Sequence, residues 1–297
     1  HNARNMLASD DEWTAPIYGE VGPDGALWVV DWYNYIVQHN PTPIGFETGK
    51  GNAYDTSLRD KTRGRIYRVV HREGTPSTQP VLDPSDSVSL LNGLTHDNKL
   101  WRLHAQRLLV ERGQKDVIPE LLGLVKNPAV DTLGLNPAAI HALWTLEGLG
   151  ALEAPSRAVQ KALTAALDHP SAGVRRAAVM VAPKSSALLK AMLRADLAND
   201  DDAQVRLATL LALAEMPADG DAAKAILGAI ESPANAKERW IMDAATAAAA
   251  NHDADFLQAF LGSDRQDSSL TEGVHQLLSQ VTSHYAARGP IDSIVPV

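Results

Sequence analysis

Cysteine is absent from the 297 residues. That absence excludes disulfides, thiolate zinc sites, iron–sulfur clusters, thiol nucleophiles and a covalently attached c-type haem within this stretch. Long hydrophobic runs are also missing. No segment approaches the ~18 uninterrupted apolar residues that a membrane-spanning helix needs. Positive charge is scarce, with 27 Lys and Arg against 36 Asp and Glu and a net charge of -9. Phosphate binding asks for a basic face, so a general nucleic-acid grip is not expected. What remains is the balance of a globular protein, 45% hydrophobic and 21% charged, with enough mass for a real core. The chain opens on His1, with no basic segment leading into an apolar one. The expectation is a piece of a longer chain, the alternative a removed leader.

The alphabet changes near residue 75. Five of the six Tyr and three of the six Trp come before it, and Ala and Leu dominate after it. Aromatic and β-branched residues favour strands, whereas Ala and Leu favour helix. Residues 16–21 read as a strand, residues 22–25 (Gly-Pro-Asp-Gly) as a tight turn, and residues 26–32 as a second strand. The second is nearly all apolar and is expected to be buried on both faces. Residues 65–70 alternate and make a third strand. A long insert, 33–62, separates the last two, and loops above ~15 residues are usually functional or disordered. Three strands cannot cover both faces of a sheet, and their open edges invite further strands. The β unit, 1–74, is therefore expected to belong to a larger sheet assembly, with 75–85 as a linker.

From 86 to 288 a helical frame recurs. Arg102, Ala139, Arg175, Arg206 and Arg239 occupy its equivalent position, at intervals of 37, 36, 31 and 33 residues. Helix-starting turns precede the units at 96–98, at 127–128 or 136–137, at 168–170, at 199–202 and at 232–233. Two short helices cannot bury a face alone, so neighbours must stack. The expected fold is mainly α, a helical-pair solenoid of about five pairs plus a terminal helix over 270–288, preceded by a small antiparallel β unit. Residues 289–297 read as an extended tail. Arg102, Arg175, Arg206 and Arg239 are expected to bridge neighbouring units through acidic turn residues. His104 and His141 are expected in the core.

The frame resembles HEAT repeats. The opening part carries a more specific likeness, in Gly22-Pro-Asp-Gly-Ala-Leu-Trp-Val-Val-Asp-Trp-Tyr-Asn34, in Ile36-Val-Gln-His-Asn-Pro41 and in Arg59-Asp-Lys-Thr-Arg-Gly-Arg-Ile-Tyr-Arg-Val69. These resemble the last β-propeller blade of the putative membrane-bound dehydrogenase family of planctomycete-type bacteria. Trp101-Arg-Leu-His-Ala-Gln-Arg-Leu-Leu-Val-Glu-Arg112 and His141-Ala-Leu-Trp-Thr-Leu-Glu-Gly148 fit the helical segment that follows in that family. The resemblance implies an exported protein, periplasmic or associated with the cell envelope. It implies a propeller related to sorbosone and soluble glucose dehydrogenases, which use pyrroloquinoline quinone (PQQ) to oxidise sugars or related alcohols. Many members end in a c-type haem domain with a Cys-x-x-Cys-His motif. The remainder of the propeller and a cytochrome domain or protein are the partners it implies.

Candidate chemistry gathers where the second strand meets the insert. Asp31, Tyr33 and Asn34 stand at the strand's exit, where Tyr33 and Asn34 could contact the cofactor and Asp31 either contributes a carboxylate to calcium or caps a turn. His39 could act as general base in alcohol oxidation, or simply hold loop backbone. Arg59, Arg63 and Arg65 could pair with the three carboxylates of PQQ, or bridge blade edges. Carbohydrate binding is a further option, given the Tyr, Trp, Asn and His of the insert. Gly45–Gly51 lacks phosphate-loop spacing, and Asn199–Asp202 lacks the rest of an EF-hand and reads as a capping turn. The alternative to an enzyme is a non-catalytic scaffold that binds protein or carbohydrate.

Overall fold

The computed structural model describes residues 5–35, 44–45, 47, 62–262 and 271–288. The chain divides into two compact units, His1–Val81 with Asp97–Trp101, and Leu82–His96 with Arg102–Val297. Expectations placed on the insert beyond Tyr35, and on the tail 289–297, fall almost wholly outside the described residues.

The first unit holds one antiparallel sheet in the order β1 (Pro16–Val21), β2 (Leu27–Asp31), β3 (Arg65–Val69). The Gly22–Gly25 turn joins the first two. Gly25 N–H donates to Gly22 O at 3.0 Å and Gly22 N–H to Ala26 O at 2.9 Å. Gly25 has φ +80°, a conformation that favours a residue without Cβ. Asp24 secures the corner, accepting from Ala26 N–H at 3.1 Å and Trp28 Nε1–H at 3.0 Å, and pairing with Arg68. Two residues of the 97–101 segment meet the turn's carbonyls: Asn98 Nδ2 donates to Gly22 O at 2.7 Å, and Trp101 Nε1 to Pro23 O at 2.9 Å.

β2 departs from the sequence expectation. It is not buried on both faces. Val29 and Asp31 are buried, while Trp28 and Val30 on the opposite face are exposed. Register explains this. Directly paired residues share a face, so Tyr18, Val30 and Ile66 form one row and Glu20, Trp28 and Arg68 the next. Apolar content put both faces of β2 inside, yet Tyr18 and Ile66 in the same row are exposed as well. The third strand ends at Val69, one residue earlier than its apolar pattern suggests.

The second unit is helical. Its helices are α1 (Ser87–Gly93), α2 (Lys99–Arg112, whose first turn lies in the other unit), α3 (Ile118–Lys126), α4 (Pro137–Gly148), α5 (Arg157–Ala166), α6 (Ala172–Val181), α7 (Ser186–Arg194), α8 (Ala203–Leu213), α9 (Gly220–Glu231), α10 (Arg239–Asn251), α11 (Asp253–Leu261) and α12 (Glu272–Arg288). Capping side chains start many of them. Asp86, Asn136, Ser156, Ser185, Asp202 and Asp219 each accept a backbone N–H of the first turn. Of the two starts weighed for the second pair, Asn136-Pro137 is the one used. The start placed at 232–233 is displaced: α10 begins only at Arg239, because Asn235 spends its side chain on the preceding helix end, Nδ2 donating to Ala229 O at 2.9 Å.

Packing follows the repeat. Helices α4, α6, α8 and α10 lie against one another in succession, and α3 meets α5 while α9 meets α7 and α11. One continuous core runs from Leu90 to Tyr285. Each fully buried Leu, such as Leu109 or Leu143, contributes roughly 1.5–3 kcal/mol. In α10 the buried positions Ala244, Ala245, Ala248 and Ala249 are small, which lets neighbouring backbones approach closely.

Polar groups join successive pairs. Arg175 reaches Asp200, and Arg206 reaches Asn235 Oδ1 at 2.7 Å while also donating to Asp200 O at 2.7 Å. Among the described residues no turn receives Arg239, and residues 263–270, which precede α12, lie outside them. That side chain is exposed, lies over the ring of its neighbour Trp240, and pairs along its own helix with Asp243. Two buried histidines act alike. His169 Nδ1 accepts from Ser171 N–H at 2.9 Å while Nε2 lies 2.9 Å from Asn127 O; His252 Nδ1 accepts from Asp219 N–H at 3.0 Å while Nε2 lies 3.0 Å from Leu213 O. His104 and His141 are not core residues but half-buried, with His141 Nδ1 2.7 Å from Gln106 Oε1 of the preceding pair.

Candidate functional site

The end of β2 is where the structure gathers the first unit's polar and aromatic groups. Asp31 is the centre. Its carboxylate is buried, with Oδ1 accepting from Ala15 N–H at 2.7 Å and Tyr33 N–H at 2.9 Å, and Oδ2 accepting from Tyr67 O–H at 2.9 Å. Those bonds tie β1's entry, β2's exit and β3 together. The alternation of β3 makes this possible, because Tyr67 and Arg65 share the face on which Asp31 stands.

Tyr33 follows with φ +48°, in the left-handed region. The kink turns its ring inward, where it is buried beneath the Arg65 guanidinium at 3.4 Å. Trp13 lies 6.1 Å from the Tyr33 ring and 6.2 Å from that of Tyr35, tilted against both. Asn34 is buried beside them. Arg65 also donates to Asp11 Oδ2 and to the Tyr67 hydroxyl, each at 3.3 Å. Asp11's carboxyl is held below its ordinary value chiefly by the Trp13 backbone N–H, which desolvation opposes and to which the Tyr33 hydroxyl and Arg65 add.

Of the residues singled out in the sequence, Asp31, Tyr33, Asn34 and Arg65 thus belong to one cluster. Arg63 is exposed just ahead of β3. His39 and Arg59 lie outside the described residues. Asp11, Trp13 and Tyr67 complete the cluster and were not chosen from sequence. Asp11 is 54 positions from Arg65 and Tyr67 is 36 from Asp31, and no local spacing links such partners.

The described residues do not by themselves fit a quinone that carries three carboxylates. Arg65 is already engaged by Asp11 and the Tyr33 ring, and Asp31 accepts from three donors. Among the described residues no group of three or more His, Asp or Glu is disposed to hold a metal ion. As arranged, the cluster can hold the strand ends in shape and present Trp13 and Tyr35 beside one charged arginine.

Residues 1–73 match a domain of unknown function, DUF7133. The matched stretch takes in all three strands and the whole cluster. No curated protein matches the chain. No helix among the described residues is long and apolar enough to cross a membrane.

Proposed function

We propose that this chain is the closing section of an exported, dehydrogenase-like protein. Its first unit is the terminal blade of a β-propeller, and its helices form a HEAT-like solenoid that serves as scaffold or interaction arm. The observation that carries the reading is the uncovered sheet face. Tyr18, Trp28, Val30 and Ile66 stand together on it and are exposed. A three-stranded sheet with an apolar face to solvent is the form of a wedge whose neighbours complete the core. The inter-pair bonds of Arg175, Arg206, His169 and His252 support the solenoid, since stacked units hold only through their neighbours.

In this reading the intact propeller would hold PQQ and calcium, the quinone would supply an acceptor for the electrons of a sugar or related alcohol, and a c-type haem domain or cytochrome would be the onward partner. The residues of this chain keep the blade's end rigid. Asp31 fastens the three strands, and Arg65 is clasped between Asp11 and Tyr33. The test is reconstitution of the full-length gene product with PQQ and Ca²⁺, followed by dye reduction across a panel of sugars. Reduction with at least one sugar is expected. No reduction together with no quinone binding overturns the dehydrogenase reading.

A second reading has its own support. The satisfied carboxylate of Asp31 and the rings of Trp13, Tyr33 and Tyr35 suit a non-catalytic module that binds carbohydrate. A glycan array separates the two: retention of a defined glycan, lost in Tyr35→Ala, supports the binding module.

A further inference from the structure

The recurring frame sets α6 and α8 side by side in register. With Arg175 matched to Arg206, Arg176 falls at the position of Leu207, Met180 at Leu211 and Lys184 at Glu215. These side chains border a groove of about 270 Å³ between the two helices, floored by buried Val179, Ala208 and Ala212. Its walls are apolar and open, with Met180 48% and Leu211 50% exposed. The apolar positions continue along the same layer, with half-buried Trp144 of α4 at the place of Met180 and exposed Trp240 of α10 at the place of Leu207. Apolar side chains recur at these two frame positions, with Met180, Leu211 and Trp240 exposed, and are not the scattered singles of an ordinary surface.

Charge identifies what the groove would accept. At one rim Lys184 Nζ lies 2.9 Å from Glu215, and the two charges offset each other. Arg176 is exposed at the other rim and has no carboxylate partner among the described residues. One uncompensated guanidinium beside a strip of Leu and Met asks for an apolar side chain with a carboxylate close by. Met180 adds adaptability, because its unbranched thioether can refill the strip around differing occupants. A nucleic acid is a poor fit, since Arg176 alone at this groove, in a chain of net charge -9, cannot follow a phosphate backbone.

We propose that the α6–α8 groove docks a peptide segment of a partner protein in which apolar side chains stand next to an acidic residue. Leu207, Leu211 and Met180 receive the apolar groups and Arg176 pairs with the acid. The proposal rests on the interaction-arm reading of the helices and is independent of any quinone chemistry.

The test uses the full-length protein and three series of short fluorescent peptides. All carry the same Leu and Phe residues, and the neighbouring position is Glu, Gln or Lys. Anisotropy should rank the Glu series tightest and the Lys series weakest. Arg176→Glu should weaken the Glu series about tenfold and reverse the order in favour of Lys. Leu211→Ser should weaken all three series. Both positions are exposed, so circular dichroism and melting should match the parent; Met180→Ser gives a second apolar variant if Leu211→Ser does not fold. Binding whose order ignores Arg176→Glu overturns the groove while leaving the arm reading intact. Binding of no peptide by the parent protein overturns both.

Discussion

Arg175 grips Asp200 through two parallel hydrogen bonds, Nε to one carboxylate oxygen and Nη2 to the other, each 2.7 Å long. The same guanidinium donates through Nη1 to the carbonyls of His169 at 2.8 Å and Pro170 at 3.1 Å. Arg175 comes from one helical pair and Asp200 from the turn that opens the next helix of the same layer, α8. Burial pushes the Asp200 carboxyl upward, but Arg175's hydrogen bonds and the Asp202 N–H outweigh it and hold the group below its ordinary value.

Asp200→Ala should therefore strand a largely buried guanidinium and cost about 2–3 kcal/mol, read as a lower denaturant midpoint. The double variant with Arg175→Ala should lose less than the two single losses combined. Additive losses would show that the pair is not a unit. Since the folded carboxyl titrates below its unfolded value of about 3.9, the pair's contribution is present above about pH 4 and fades as pH falls through the folded value.

Tyr67→Phe removes one of the donors that hold buried Asp31, and also the hydroxyl that accepts from Arg65. The expected cost is about 1–2 kcal/mol. Thermal unfolding followed by Trp emission measures it, and an unchanged midpoint would mean that the Asp31 cluster does not fasten the strands.

Asp24 carries the acid response of the β unit. The Trp28 indole N–H, with Arg68 and the Ala26 N–H, lowers its carboxyl to about 2. Its share of the stability is present above the unfolded value of about 3.9 and lost as pH drops from about 4 toward 2. The Trp28 indole N–H resonance should shift over that range. Asp24→Asn should abolish the shift.

Two glycines in helices should respond with opposite sign. A Cβ on Gly93 would lie 2.7 Å from Ala105 Cβ and 2.8 Å from Leu82 Cδ2, so Gly93→Ala should cost about 1–3 kcal/mol. A Cβ on Gly123, inside α3, meets nothing within 4 Å, so Gly123→Ala should gain about 0.5–1 kcal/mol. Melting curves of the two variants decide it.

What could be read from the sequence was local. The turn at Gly22–Gly25, the strand at Pro16–Val21 and the capping turn ending at Asp202 each carry their instructions within a few residues. The recurring Arg marked real joints at Arg175 and Arg206, because each has a receptor in the turn before the next helix of its layer. At Arg239 the residues before the next helix of the layer, 263–270, lie outside the described ones, and the described partner is Asp243 of its own helix. Apolar content misled for β2, since composition does not tell which face a neighbouring layer will cover. The cluster around Asp31 was half legible. Asp31, Tyr33, Asn34 and Arg65 drew attention as charged and polar residues at a strand's edge. Asp11 and Tyr67 join them only through the pairing of β1, β2 and β3, which no short window of sequence contains.

Asp200 does double duty. Its carboxylate holds Arg175, and its carbonyl receives Arg206 Nη1 at 2.7 Å. A substitution there releases Arg175 but leaves in place the carbonyl that receives Arg206, whose link to the next pair runs through Asn235.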